Sequence, residues 1–79
     1  MDKDQEEMKK FLEEQVEWCK WQDSILEEIE NKLHEMKKLA EYARAHELTP
    51  IEVNKWNEQI NTLKQEVHSL EEQLQSEVH

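Results

Sequence analysis

The chain of 79 residues contains no glycine, one proline and one cysteine. Without glycine there is no phosphate-cradling loop, no dinucleotide-binding turn and no nucleophile elbow, since each needs a backbone approach that a Cβ obstructs. Cys19 cannot form a disulfide within the chain, and no second cysteine exists to share a zinc ion. A packed side chain in a reducing compartment is its expected role. Long apolar runs are missing too. None exceeds two residues (Phe11-Leu12, Ile25-Leu26, Leu39-Ala40), against the ~18 needed to span a bilayer, and no secretory apolar segment follows Met1. These features point to the cytoplasm. Basic residues are scarce, 10 against 20 acids, for a net charge of -10 that divides equally between residues 1–46 and 47–79. Such a surface repels nucleic-acid phosphates and anionic lipid, so neither nucleic acid nor membrane is an expected partner. It keeps the protein soluble. It could also dock a basic protein surface, or imitate DNA to inhibit a DNA-binding protein.

What the chain does have is helix-forming residues. Glu, Lys, Gln and Leu dominate, and local propensity is helical almost throughout. The strong punctuation is Leu48-Thr49-Pro50-Ile51-Glu52. Thr49 fits an N-cap, Pro50 the first helical position and Glu52 the third, closing a capping box. Pro50 also pushes Thr49 out of the α region. Asp4 with Glu7 supplies a second start signal, and Arg44 and His46 lie where the dipole at the end of a first helix favours cations. The reading is an all-α, single-domain antiparallel hairpin over 1–79: a first helix at about 4–46, a turn at 47–49 and a second helix at about 50–77.

In the second helix Val53, Ile60, Val67 and Leu74 take heptad position a, and Trp56, Leu63 and Leu70 take d. The first helix continues the spacing with Met8, Leu12, Cys19, Leu26, Ile29, Leu33, Met36, Ala40 and Ala43 at a and d, interrupted by Gln15 and Gln22. Beside them Phe11, Trp18, Ile25 and Leu39 fill position g. A two-position seam suits one partner and a three-position stripe suits two. Folding at the hinge sets small residues against large ones, Ala43 to Val53 and Ala40 to Trp56, which favours the hairpin. The first helix is also the longer, so its N-terminal residues, with Met8, Phe11, Leu12 and Val16, overhang. The expectation is a homodimeric four-helix bundle in which Phe11, Trp18, Ile25 and Leu39 form the interface.

No catalytic constellation emerges. The residues three before His34, His46, His68 and His79 are Asn31, Ala43, Gln65 and Ser76, so the Glu-x-x-His pairs of a di-iron bundle are absent. Ser24, Ser69 and Ser76 lie on helices without a placed base, and His68 points about 100° away from Ser69. No catalytic residue, cofactor or metal is expected, and the chain reads as a non-enzyme. Trp21 and Tyr42 both fall at position c, on the solvent side of the heptad, and are the candidate anchors for a protein partner.

The segment from Ile29 to Leu63 carries Ile29-Glu30, Leu33 and Met36, a turn at His46-Glu47-Leu48, and Glu52-Val53 opening a second helix. In this layout it resembles the short helical-hairpin sporulation regulators of the stage-0 sporulation E type, aspartyl-phosphate phosphatases that act on a bacterial response regulator. Their S-Q-x-x-D motif would fall on Asn57, Glu58, Gln59, Ile60 and Asn61, where Asn57 replaces Ser, Glu58 replaces Gln and Asn61 replaces the acid. Asn61 cannot supply a carboxylate, so the resemblance implies a diverged member that binds without catalysis. The residues themselves point to a small acidic protein that self-associates and binds another protein as a regulator or adaptor.

Overall fold

The computed structural model describes residues 2–76. They form two helices, α1 (Lys3–Ala45) and α2 (Pro50–Ser76), packed against each other as a hairpin of 70 × 20 × 12 Å. The connection is the capping box that Thr49, Pro50 and Glu52 imply. The Glu52 backbone N–H donates to the Thr49 hydroxyl at 3.2 Å, and the Thr49 N–H donates to the Glu52 carboxylate at 3.1 Å. The Val53 N–H then donates to the Thr49 carbonyl at 2.8 Å, the first bond of α2. At the far side of the hinge, His46 leaves the helical region at φ -130°, and both its backbone N–H and its ring Nδ1 meet the Tyr42 carbonyl. An orphan carbonyl of the last turn is thereby satisfied.

The helix start differs from the sequence reading. Asp2, not Asp4, is the N-cap: its carboxylate accepts from the Gln5 N–H at 2.9 Å. Starting two residues earlier leaves Asp4 and Glu6 inside the first turn, where the helix dipole favours acids. α1 correspondingly ends at Ala45, one residue sooner than expected. Glu77, the expected last residue of the second helix, lies outside the described residues.

Among the described residues the buried side chains are Ile60, Leu63, Val67 and Leu70, all on α2 at the expected a and d positions. Trp56 and Leu74 continue that seam half-buried, whereas Val53, expected in it at position a, is 39% exposed beside the hinge. On α1 the register is different. The half-buried residues recur as Gln22, Ile25, Ile29, Lys32, Met36, Leu39 and Ala43, which are positions d and g, whereas Leu26, Leu33 and Ala40 at position a are exposed. The sequence reading gave a and d to the second helix and kept g for another copy. α2 instead lies over d and g, and a is the surplus row.

Two polar contacts account for that choice. The Trp56 indole N–H donates to the Leu39 carbonyl at 2.8 Å, and the Lys32 ammonium meets the Glu66 carboxylate at 2.7 Å. Both α1 residues are at g. Rotating g outward would strand the indole N–H in the seam, at a cost comparable to a lost hydrogen bond. The same two contacts set the antiparallel layering: Leu39 beside Trp56, then Lys32 beside Glu66. Continued at 1.5 Å per residue, this register brings Ser76 alongside about residue 20 of α1. α1 therefore runs roughly 25 Å beyond the described end of α2.

Candidate functional site

The grooves among the described residues are open ones, and the two flanks of the hairpin differ in chemistry. With d and g turned to α2, positions c and a of α1 border the seam on opposite sides. The c side is an open groove along the whole pairing. Near the hinge it is lined by Lys38, Leu39, Tyr42, Leu48, Lys55 and Trp56. Further along come Glu35, Glu58, Thr62 and Glu66, then Glu28, Lys32 and Ser69. Apolar side chains floor its hinge end, while acids and bases rim the rest, an open arrangement that suits neither an enclosed small ligand nor a run of phosphates.

Tyr42, an expected partner anchor, stands at the hinge end of this groove. Its ring stacks on His46 with centroids 4.1 Å apart and planes 20° from parallel, and it remains half exposed. Trp21, the other expected anchor, is not on the solvent side. It is half-buried, because position c lies next to g once g faces the seam. Of the expected dimer contacts, Ile25 and Leu39 are half-buried in the row that faces α2, and Trp18 is half-buried as well; Phe11 alone stays exposed, at 55%.

Along α1 the exposed apolar surface collects on the a side, apart from Ile51 and Val53, which are exposed on α2 beside the hinge. Leu26 and Leu33 are about half exposed, and the row continues through exposed Cys19 to Leu12. Beyond the end of α2 it broadens into Met8, Phe11, Leu12 and Val16, all 53–59% exposed. No sequence rule for a hairpin selects this row. The signal was the seven-residue spacing Leu12, Cys19, Leu26, Leu33, Ala40, present from the start but assigned to the seam.

The remaining polar residues have ordinary roles. His68 meets Glu72 one turn on at 3.0 Å, with both side chains exposed. Among the described residues no three His, Cys, Asp or Glu side chains are grouped to hold a metal ion, and no helix is long and apolar enough to cross a membrane. Four of the five positions aligned with the sporulation-regulator motif, Asn57, Glu58, Gln59 and Asn61, are exposed on α2, while Ile60 is in the core. No protein-family model, no curated protein and no solved structure matches this chain.

Proposed function

We propose that this protein is a non-enzymatic helical hairpin of the cytoplasm that associates with itself and binds another protein as a regulator or adaptor. The observation that carries the reading is the exposed apolar row of α1. A helix of 43 residues buries no side chain of its own, yet presents Met8, Phe11, Leu12, Val16, Leu26 and Leu33 to solvent. Contiguous apolar surface of this kind on a small soluble chain marks an interaction site. The hairpin core is also small for independent stability, which a second chain relieves. Acidic charge throughout disfavours nucleic acid and anionic membrane as the partner and leaves protein.

The test is light-scattering mass of the untagged chain over a hundredfold range of concentration, with the Phe11→Ser, Leu12→Ser double variant alongside. The reading expects a dimer for the wild type and a shift toward monomer for the variant. Monomer mass for both at every concentration, with equal melting temperatures, would sink self-association. Cross-linking of wild type and variant in cell extract then addresses the partner: a protein captured equally by both does not use this row.

A further inference from the structure

Resting on the self-association just proposed, we infer that the occupant of the overhang is the same segment of a second copy, lying antiparallel about a two-fold axis near Val16. Three observations lead there. The first is extent. α1 continues past the described end of α2 with its most exposed apolar residues, Met8, Phe11, Leu12 and Val16, on that stretch. The second is shape. A single helix end about 25 Å long, carrying an apolar face and no neighbouring element among the described residues, matches a helix of equal length better than it matches a globular pocket.

The third observation decides orientation. Alongside the apolar row, on the flank away from α2, stand Glu6, Lys9, Glu13, Lys20, Asp23 and Glu27, all exposed. Between the outer two acids the signs run plus, minus, plus, minus. A parallel second copy would set this flank against the opposite one, where Phe11 and Trp18 carry no charge to answer it. An antiparallel copy centred near Val16 sets Lys9 against Asp23 and Glu13 against Lys20, the two-fold axis repeats both pairs, and the like-charged Glu6 and Glu27 meet only at the rims. Lys20 already lies 3.6 Å from Glu17 on its own helix, an exposed contact loose enough for its ammonium to swing to a cross-helix acid. Complementary flanking charges of this kind fix orientation and register in paired helices more than they add affinity. The a row beyond Cys19, with Leu26 and Leu33, becomes the edge of this interface rather than its centre.

Reversing charges tests the arrangement without touching the hairpin core. Lys9→Glu with Lys20→Glu makes the whole flank acidic, and the dimer dissociation constant should rise about tenfold or more. Adding Glu13→Lys and Asp23→Lys on the same chain inverts the whole pattern, and antiparallel pairing should return to near wild-type strength. Circular dichroism checks that each variant keeps its helices. A wild-type dimer indifferent to the double reversal would overturn the overhang interface while leaving self-association standing. Failure of the quadruple variant to recover would overturn the antiparallel register. A wild-type monomer would remove this inference together with the reading beneath it.

Discussion

α2 and α1 have similar compositions and opposite fates. α2 carries a two-position seam and buries its centre, with Ile60, Leu63, Val67 and Leu70 at 8–9% exposure. α1 has more apolar positions and buries none of them. The difference is geometric. A narrow seam pressed into a broad stripe is covered on both sides, because residues at c, g, d and a of α1 all rise around it. A stripe of g, d and a cannot be covered by one helix, since α2 reaches only two of its three rows. Burial in a hairpin is therefore decided by the width of the face opposite a residue, not by how apolar that residue is.

The sharpest way to break this comparison is to truncate matched leucines. Leu63→Ala removes a buried side chain from the centre of the seam and should lower stability by about 2–4 kcal/mol, enough to unfold much of so small a domain at 37 °C. Leu33→Ala acts at a residue 50% exposed in the single chain and should cost well under half as much in thermal melts at low protein concentration. Equal costs would show that the a row is covered in solution along its whole length. In that case the two helices are not as different as the isolated hairpin makes them.

How much of this was written in the sequence follows from the same contrast. The hinge was fully legible, because Thr49, Pro50 and Glu52 satisfy each other within four residues and need nothing from the rest of the chain. The a and d seam of α2 was legible because only one assignment of two rows exists. α1 offered two assignments, a with d or d with g, of nearly equal apolar content. The choice between them came from the Trp56 indole and the Lys32 ammonium, whose partners Leu39 and Glu66 are far away in sequence. Periodicity cannot see such contacts. The displaced reading of Trp21, from solvent anchor to half-buried flank, is a consequence of that single rotation, as is the reassignment of Ile25 and Leu39 from dimer contact to seam. The N-cap failed for a smaller reason: Asp2-x-x-Gln5 and Asp4-x-x-Glu7 are both start patterns, and the earlier one gains half a turn of helix.

Trp56→Phe sharpens the account of why g faces inward. The ring keeps most of its packing but loses the donor to the Leu39 carbonyl, so stability should fall by roughly 1 kcal/mol. Because a and d then compete with d and g on apolar content alone, cysteine accessibility is the informative readout. In a Cys19→Ser background, Leu33→Cys, exposed at position a alongside α2, should react more slowly with a thiol reagent if α2 rotates toward that row, and at an unchanged rate if packing alone holds the register.

The hinge comes next in size. Thr49→Ala removes a cap and should cost about 1 kcal/mol. The bond from the Thr49 backbone N–H, with help from its hydroxyl, holds the Glu52 carboxyl below its ordinary range. A depressed carboxyl stabilises the fold above its unfolded pKa, and that stabilisation is lost as pH falls through the lower folded value. The melting difference between wild type and Glu52→Gln should therefore shrink as pH falls below about 4.5. Parallel curves for the two proteins would mean that the box orders the turn without stabilising it.

The smallest expected effect concerns the ion pair that joins the two helices. Lys32 is 28% exposed and Glu66 42%, and a pair so open to solvent contributes little and weakens with salt. Its hydrogen bond to Glu66 raises the Lys32 pKa above the ordinary 10.5. A raised lysine contributes fully below its unfolded value and loses that contribution as pH climbs through the higher folded one. The melting difference between wild type and Lys32→Met should thus be constant near neutrality and shrink above about pH 10.5. Lys32→Met also keeps an unbranched apolar stem in the seam, and removing a half-buried charge there can offset the lost pair. If the variant is as stable as wild type at neutral pH, the pair's role is to select which row of α1 meets α2, and the thiol reactivity of Leu33→Cys, compared with and without Lys32→Met, is then the measurement that shows it.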